Sequence, residues 1–208
     1  MTKLSSNKSI EDLEIQLLKK NKDLNEKYLE LETILDLTNT INSLDDLNDL
    51  FFNVLTLSSS IINSSKGLVL LKNEVSNIFD PVSVFNIDES KIKKQIFNTR
   101  SGFLKNLSKE KKGFIISKND NFNHQLFESS YAIISPIIFN KKLVGSIILF
   151  DKETRKGVID FELNDKKLLE AVSIQTSIAY QNVKLLESLK KSNKLNENIM
   201  SSITTGVI

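Results

Sequence analysis

The chain opens with a narrow stripe of apolar residues that recurs at helical spacing. Spacings of three, four and seven residues, with polar residues between, predict one helix over residues 10–37. The narrow stripe predicts a helix that pairs with a second copy, in a segment (residues 1–38) separate from the globular region. A solvated helix packed on its own domain is the alternative. The stripe consists of Ile10, Leu13, Leu17, Leu24, Leu31 and Ile34.

A second helix, with a much broader apolar face, is predicted to begin near Leu44. Ser43 is the predicted N-cap, and Asp45 and Asp46 place negative charge in the first turn, where the helix dipole favours it. The helix is predicted to end before the serine run at residues 58–60. A broad apolar face indicates packing against a core. Its residues are Leu47, Leu50, Phe51, Val54, Leu55 and Leu57.

The middle of the chain alternates between short apolar runs and short amphipathic segments. Runs rich in Val, Ile, Leu and Phe predict strands at residues 67–71, 82–85 and 113–117. Helical spacing predicts short helices at residues 89–97 and 101–107.

The strongest pattern lies in the last third of the chain, where two strands precede a long helix. Residues 131–139 and 143–150 are apolar runs joined by a short polar turn, which predicts a hairpin. A helix then opens at residues 161–165 and continues past Leu189 to Ile199. This order is typical of a ligand-sensing module. The apolar residues of the helix near the hairpin are Leu168, Leu169, Val172, Ile174, Ile178, Ala179 and Leu186.

Composition narrows the class of protein. The 208 residues are 40% hydrophobic and 26% charged, which predicts one globular core with extensions, and a net charge of +2 makes nucleic acid a poor partner. The absence of cysteine excludes disulfides, thiolate metal sites and cysteine nucleophiles. No apolar run is long enough to span a bilayer, and the N-terminus lacks the apolar core of a signal peptide. We therefore expect a cytoplasmic location and no membrane contact by this part of the protein.

Four short motifs stand out within residues 39–183. They are Ser135-Pro-Ile137 and residues 143–149, 168–171 and 175–182. Together with the order of elements, these motifs resemble the GAF domain family. Gly102 and Phe103 also lie where the family usually places a helix start that contains glycine. The resemblance implies an α+β fold in which an antiparallel sheet carries helices on one face and a small-molecule pocket on the other. The long terminal helices are expected to form a dimer bundle.

Members of the family bind different ligands, and the amino-acid composition of this chain excludes some of these ligands. A covalently bound bilin needs cysteine, and so does the branch that reduces methionine sulfoxide. Haem or iron needs ligands, and the single histidine, His124, holds no metal alone. We therefore expect the chain to carry no covalent cofactor and no metal.

A cyclic-nucleotide-binding branch of the family shares the pattern Asn-Lys, a spacer, Phe, three residues, then Asp-Glu. This chain has Asp151-Lys152, then Phe161, then Asp165-Lys166, so two of the five letters differ. The resemblance implies a structural salt bridge between Lys152 and Asp165 that does not touch the ligand. An ordinary surface ion pair at a helix N-terminus is the alternative.

A phosphate group would find donors where the helix predicted at residues 101–107 begins. The first N–H groups of a helix lack intrahelical partners, and its dipole favours an anion. The predicted phosphate end consists of Arg100, Ser101, Gly102 and Phe103. The predicted base and loop side consists of Asn119, Asp120, Phe122, Phe127, Ser129 and Ser135.

The tail at residues 203–208 resembles the opening strand of a PAS domain, so residues 184–208 are interpreted as a signalling helix and the start of that domain. The sequence predicts a regulatory sensor that binds cAMP before cGMP and controls a downstream output such as a diguanylate or adenylate cyclase. It contains no nucleophile–base pair or phosphate loop, so we expect no enzymatic activity in this fragment. The alternatives are a ligand-free dimerisation module of a histidine kinase or phosphatase, and a sensor of another metabolite.

Overall fold

The computed structural model of the chain describes residues 15–22, 46–76, 78–92, 97–100, 102–118 and 129–205. The chain divides into two compact units, Met1–Asn39 and Thr40–Ile208. In the first unit, residues 15–22 form helix α1 with exposed side chains, and the rest of the predicted N-terminal helix lies outside the described residues.

The second unit is built on one sheet of seven strands. The strand order is β3-β2-β1-β6-β5-β4, with β7 paired to β6, and every pairing is antiparallel. Its first half comprises α2 (Leu47–Ile62), β1 (Ser64–Lys72), β2 (Ile78–Phe85), α3 (Glu89–Ile92) and β3 (Phe97–Asn98). Its second half comprises α4 (Gly102–Glu110), β4 (Phe114–Ile116), β5 (Ala132–Phe139), β6 (Lys142–Thr154), β7 (Gly157–Ile159) and α5 (Leu163–Thr205). The expected α+β fold with an antiparallel sheet is confirmed.

Alternation along the strands divides the sheet into two buried faces. A side chain at Gly67 would meet Leu55 of α2, so this face carries α2. The next residue, Leu68, belongs to a hydrophobic cluster with Leu104 and Leu107 of α4, on the opposite face. The sheet is therefore covered by helices on both sides, with α4 lying on the side where the resemblance implies a pocket.

The start and end of α2 differ from the predicted ones. Asp46 is the N-cap, because its Oδ1 accepts the backbone N–H of Asn48 at 2.7 Å; the predicted cap, Ser43, lies outside the described residues. The helix also continues through the serine run, which was predicted to end it. The Ser58 hydroxyl donates to the carbonyl of Val54 at 2.6 Å and is thereby satisfied inside the helix.

Three further elements differ from the sequence-based prediction. The helix predicted at residues 89–97 is formed over Glu89–Ile92, and residues 93–96 lie outside the described residues. Phe97 is not helical but pairs with Phe79 in the β2–β3 ladder. Strand β7 was not predicted; it is only three residues long and closes a hairpin in which Gly157 has φ +107°. The strand predicted at the tail is not formed by residues 203–205, which are helical, and residues 206–208 lie outside the described residues.

Across the part of the chain that is described, no helix combines the length and the apolar character that a membrane span requires.

Candidate functional site

The predicted phosphate end is divided between the protein surface and the core. Arg100 is exposed, and its backbone N–H donates to Asn98 Oδ1 at 2.9 Å. Gly102 opens α4 with φ +65° and has open space where a side chain would stand. Phe103 is buried in the hydrophobic cluster, with its ring 6.5 Å from that of Phe97. Ser101 lies outside the described residues; of the three residues of this end that are described, Arg100 and Gly102 are open to a ligand and Phe103 is not.

The predicted loop side is described only at its C-terminal end. Asn119, Asp120, Phe122 and Phe127 lie outside the described residues. Ser129 is buried, and the ammonium of Lys66 approaches its hydroxyl at 3.5 Å.

The end of this loop is fixed by Asp151, which in the sequence is only a departure from the cyclic-nucleotide-binding motif. Asp151 Oδ1 accepts the backbone N–H groups of Ser130 at 2.8 Å and Tyr131 at 3.1 Å. Its Oδ2 lies 3.8 Å from Lys66 Nζ, and its backbone has φ +50°. Aspartate tolerates this left-handed conformation better than most residues. The signal in the sequence was a charged residue that ends a long apolar strand.

Ser135 does not belong to the predicted site. Its neighbour Ile134 is part of the hydrophobic cluster under α4, whereas Ser135 lines a cavity of about 400 Å³ beside Ser177 and Ile178 of α5. Successive residues of a strand point to opposite faces, so Ser135 lies across the sheet from Arg100 and Gly102. The prediction placed it on the wrong face.

The face that was expected to hold a ligand is lined by packed apolar side chains over the residues described. Leu70 and Phe79 of the sheet are at most 1% exposed there, and Leu107 of α4 is fully buried. Two cavities lie elsewhere, one of about 400 Å³ beside α5 and one of about 850 Å³ at the C-terminal end of α2. Neither is lined by Arg100 or Gly102.

The Lys152–Asp165 pair joins strand β6 to the first turn of α5. Lys152 Nζ lies 2.7 Å from Asp165 Oδ2 and 2.9 Å from Oδ1, and the two side chains are 16% and 10% exposed. Asp165 Oδ2 also accepts the backbone N–H of Glu162 at 2.7 Å, so this carboxylate satisfies a free donor at the helix N-terminus. The pair therefore fixes the start of α5 to the sheet.

The last position of the motif, which the cyclic-nucleotide-binding pattern gives as glutamate, is Lys166 in this chain. Lys166 Nζ lies 3.9 Å from Glu170 Oε1, which also accepts the backbone N–H of Gly113 at 2.9 Å. Glu170 thus links α5 to the residue before β4, and Lys166 lies beside that carboxylate one helical turn earlier.

Helix α5 leaves the sheet near Tyr180 and Lys184. Burial between Phe51 and Phe139 raises the pKa of Tyr180, against the opposing effect of nearby Lys184. Partial burial alone would lower the pKa of Lys184, but hydrogen bonds to Glu74 and Glu187 raise it above its usual value. The Lys184–Glu74 distance is 3.2 Å. Beyond this contact, every residue from 185 to 200 is exposed.

Within the described residues, no group of three or more His, Cys, Asp or Glu side chains is arranged to hold a metal ion.

The sequence matches no family model and no curated protein. Solved structures do match the fold. The GAF domain of the Acinetobacter phosphoenolpyruvate-protein phosphotransferase has a TM-score of 0.62 at 14% identity, covering 77% of this chain and 98% of that one. The corresponding domain from Coxiella burnetii has a TM-score of 0.64 at 11% identity, covering 76% and 96%. The A. aeolicus nlh2 GAF domain, in an inactive state, has a TM-score of 0.58 at 16% identity, covering 74% and 97%. The chain therefore has the fold of a GAF domain.

Proposed function

We propose that this chain is a regulatory sensor domain that controls a downstream signalling output through α5. The observation that carries the proposal is the arrangement of this helix. It is 43 residues long, its first turn is held to the sheet by the Lys152–Asp165 pair, and residues 185–200 extend beyond the domain with exposed side chains. A helix that is fixed to the sheet at one end and projects from the domain at the other could carry a conformational change of the sheet to a downstream output domain.

The ligand that we propose is a cyclic nucleotide, cAMP in preference to cGMP. The start of α4 supports it, because Gly102 leaves open space beside helix N–H groups and exposed Arg100 supplies a cation for phosphate. The Lys152–Asp165 pair, which the resemblance associates with the cyclic-nucleotide-binding branch, supports it as well. The output would be an enzyme such as a diguanylate or adenylate cyclase, and the sensor itself is proposed to be cytoplasmic and without catalytic activity.

The packed apolar face under α4 favours a second candidate function. If the side chains of the cluster fill that face completely, the domain is a ligand-free dimerisation module of a histidine kinase or phosphatase. A sensor of another small metabolite is the remaining alternative.

Thermal denaturation with cAMP and with cGMP distinguishes these functions. A ligand present at 100 times its dissociation constant stabilises the folded protein by about 2.7 kcal/mol. We expect cAMP to raise the melting temperature more than cGMP. Arg100→Ala should weaken binding about tenfold, because a charged contact to phosphate is lost.

Lys109→Ala is the matched control, since it removes an exposed cation at the other end of α4 and should leave binding unchanged. No shift with either nucleotide would reject the cyclic-nucleotide proposal, and no shift across a wider metabolite panel would favour the dimerisation module.

We also propose that the chain is a homodimer that pairs through its terminal helices. In α5 the supporting residues are large, exposed and apolar beyond the last contact with the sheet. Leu185, Leu189, Leu195 and Ile199 are between 48% and 60% exposed and lie along one side of the helix. A second copy would cover this stripe, as in a coiled coil.

Charges introduced into the stripe should separate the dimer. Leu185→Glu/Leu189→Glu is expected to shift the protein to a monomer in sedimentation analysis, because the carboxylates would be buried against a second copy. Lys190→Glu/Lys194→Glu, on the opposite side of the same helix, should remain dimeric. A wild-type monomer, or equal dissociation by both double variants, would contradict the proposed interface.

A further inference from the structure

The cavity beside α5 is a groove between that helix and strand β5. We call it the edge groove; it measures about 400 Å³, and its apolar wall is formed by Ile174 and Ile178 of α5 with Pro136 and Ile138 of β5. Ile174 is 60% exposed and Ile178 is 44% exposed, although both are large apolar side chains. Exposed apolar side chains that lie together along a groove indicate a surface that another molecule covers.

The walls of the edge groove are fixed by hydrogen bonds. Ser177 Oγ accepts the backbone N–H of Ile138 at 3.0 Å, and Glu170 Oε1 accepts the backbone N–H of Gly113 at 2.9 Å. Because the N–H of Ile138 is taken and Pro136 has none, neither residue offers a donor to an added strand. The groove is therefore suited to the side chains of a helix rather than to a further strand.

Ile174 and Ile178 begin an outer stripe of residues that continues to the projecting end of α5. The spacings along this stripe alternate between four and three residues, which is the seam spacing of a two-stranded coiled coil. The core-facing stripe of the same helix is separate, and Val172, Thr176 and Val183 in it are at most 4% exposed. Folding of the domain therefore leaves the outer stripe uncovered. The outer stripe consists of Ile174, Ile178, Gln181, Leu185, Ser188, Ser192, Leu195 and Ile199, all exposed.

The projecting part of the outer stripe has few apolar residues to hold two helices together. Of its five positions from Leu185 to Ile199, two are polar, Ser188 and Ser192. A polar residue in the seam of a coiled coil fixes the register of the helices but lowers their stability. Ile174 and Ile178 would add apolar contacts at the domain end, so a pair of α5 helices gains stability if it also covers the edge groove.

The positions of the lysines favour a parallel pair of helices over an antiparallel one. In a parallel pair in register, each residue of the outer stripe meets its own counterpart, apolar with apolar and polar with polar. An antiparallel pair that matches Ile174 with Ile199 would bring Lys184 of one copy beside Lys191 of the other. Two like charges beside the seam repel each other.

We propose that α5 of a second copy of this chain covers the edge groove, parallel to the first α5 and in register with it. The dimer interface would then extend from Ile174 to Ile199. The inference rests on the homodimer proposed above, and it assigns to that dimer an orientation and a surface of the globular domain. Because Ser177 joins this part of α5 to β5, a shift of β5 would reach the interface directly.

Disulfide cross-linking of single-cysteine variants tests the orientation and the extent of the interface, because the chain contains no cysteine of its own. A disulfide requires two Cα atoms within about 7 Å of each other. Under oxidising conditions we expect Ile174→Cys and Ile199→Cys each to form a cross-linked dimer at least tenfold faster than Glu187→Cys. Glu187 is the control because it is exposed on the opposite side of α5.

Sedimentation analysis tests the edge groove without a cross-link. Ile174→Glu/Ile178→Glu should raise the dissociation constant of the dimer at least tenfold, because two charges would be buried against the second copy. Both residues are exposed in the single chain, so circular dichroism should show that the variant still folds. Thr56→Glu/Ser60→Glu is the matched control on the exposed side of α2 and should leave the dissociation constant unchanged.

The outcomes separate this inference from the homodimer proposal. A wild-type dimer in which Ile174→Cys does not cross-link faster than Glu187→Cys would overturn the inference and leave the homodimer proposal standing. So would an Ile174→Glu/Ile178→Glu variant that dimerises as tightly as the wild type. A wild-type monomer would reject both.

Discussion

Replacing Gly145 by alanine is expected to destabilise the folded protein by about 3 kcal/mol, at the upper end of the cost of overpacking a core. A side chain at Gly145 would lie 2.6 Å from the backbone carbonyl oxygen of Leu70 and 3.2 Å from Ile137 Cδ1. Gly145 pairs with Leu71 on one side and Ile137 on the other, so the two neighbouring strands are both held by backbone hydrogen bonds. The carbonyl of Leu70 cannot withdraw without breaking the β1–β6 ladder.

Urea denaturation would measure the change in the free energy of unfolding. Ser146→Ala is the matched control at the next residue, which is fully buried and whose hydroxyl has no partner in the described structure. Removing that hydroxyl should be neutral or stabilising, since an unsatisfied buried group is lost. If Gly145→Ala were as stable as the wild type, β1 and β6 could not be as close as the structure has them.

Replacing Asp165 by asparagine is expected to cost about 2–3 kcal/mol, somewhat less than the loss of one partner from a fully buried ion pair. Asparagine keeps the shape of the side chain and an oxygen for the Glu162 N–H, but it leaves the ammonium of Lys152 without its counter-charge. Because Lys152 is only 16% exposed, water cannot fully compensate the charge.

The double variant Lys152→Met/Asp165→Asn should recover most of the loss, because no unpaired charge is left near the base of α5. A double-mutant cycle from urea denaturation gives the coupling energy between the two side chains. Lys166→Met serves as the control, since the Lys166–Glu170 pair is longer and more exposed and should contribute less than about 1 kcal/mol. A coupling energy near zero would mean that the pair does not fix α5 to the sheet.

The hairpin and the long helix were predictable from the sequence because their periodicity is strong. Residues 131–139 correspond closely to β5, residues 143–150 form the central part of β6, which continues to Thr154, and the 3.6-residue period after Phe161 marks α5. The local sequence around Phe97 predicts a helix, because the strand with which Phe97 pairs is not visible in that local pattern. Only the pairing with Phe79, distant in the chain, makes it part of a sheet.

The position of Ser135 illustrates why the site was harder to predict than the fold. It lies in a strand whose residues 132–137 are all buried, so the usual alternation of apolar and polar residues does not indicate which face a side chain occupies. The face is set by packing against α4 on one side and α5 on the other. Asp151 was overlooked for a related reason, because its acceptor role depends on a loop end twenty residues away in sequence.

The unbroken course of α5 has a mechanical consequence. The helix contains neither glycine nor proline between Leu163 and Thr205, and at 1.5 Å per residue it is about 65 Å long. A helix without a flexible joint rotates as one rod. A rotation of its first turn, where Asp165 pairs with Lys152, would therefore rotate its C-terminal end by nearly the same angle. Each residue advances about 100° around the axis. The direction in which a residue near the C-terminal end of α5 faces is therefore set by the number of residues between it and Asp165.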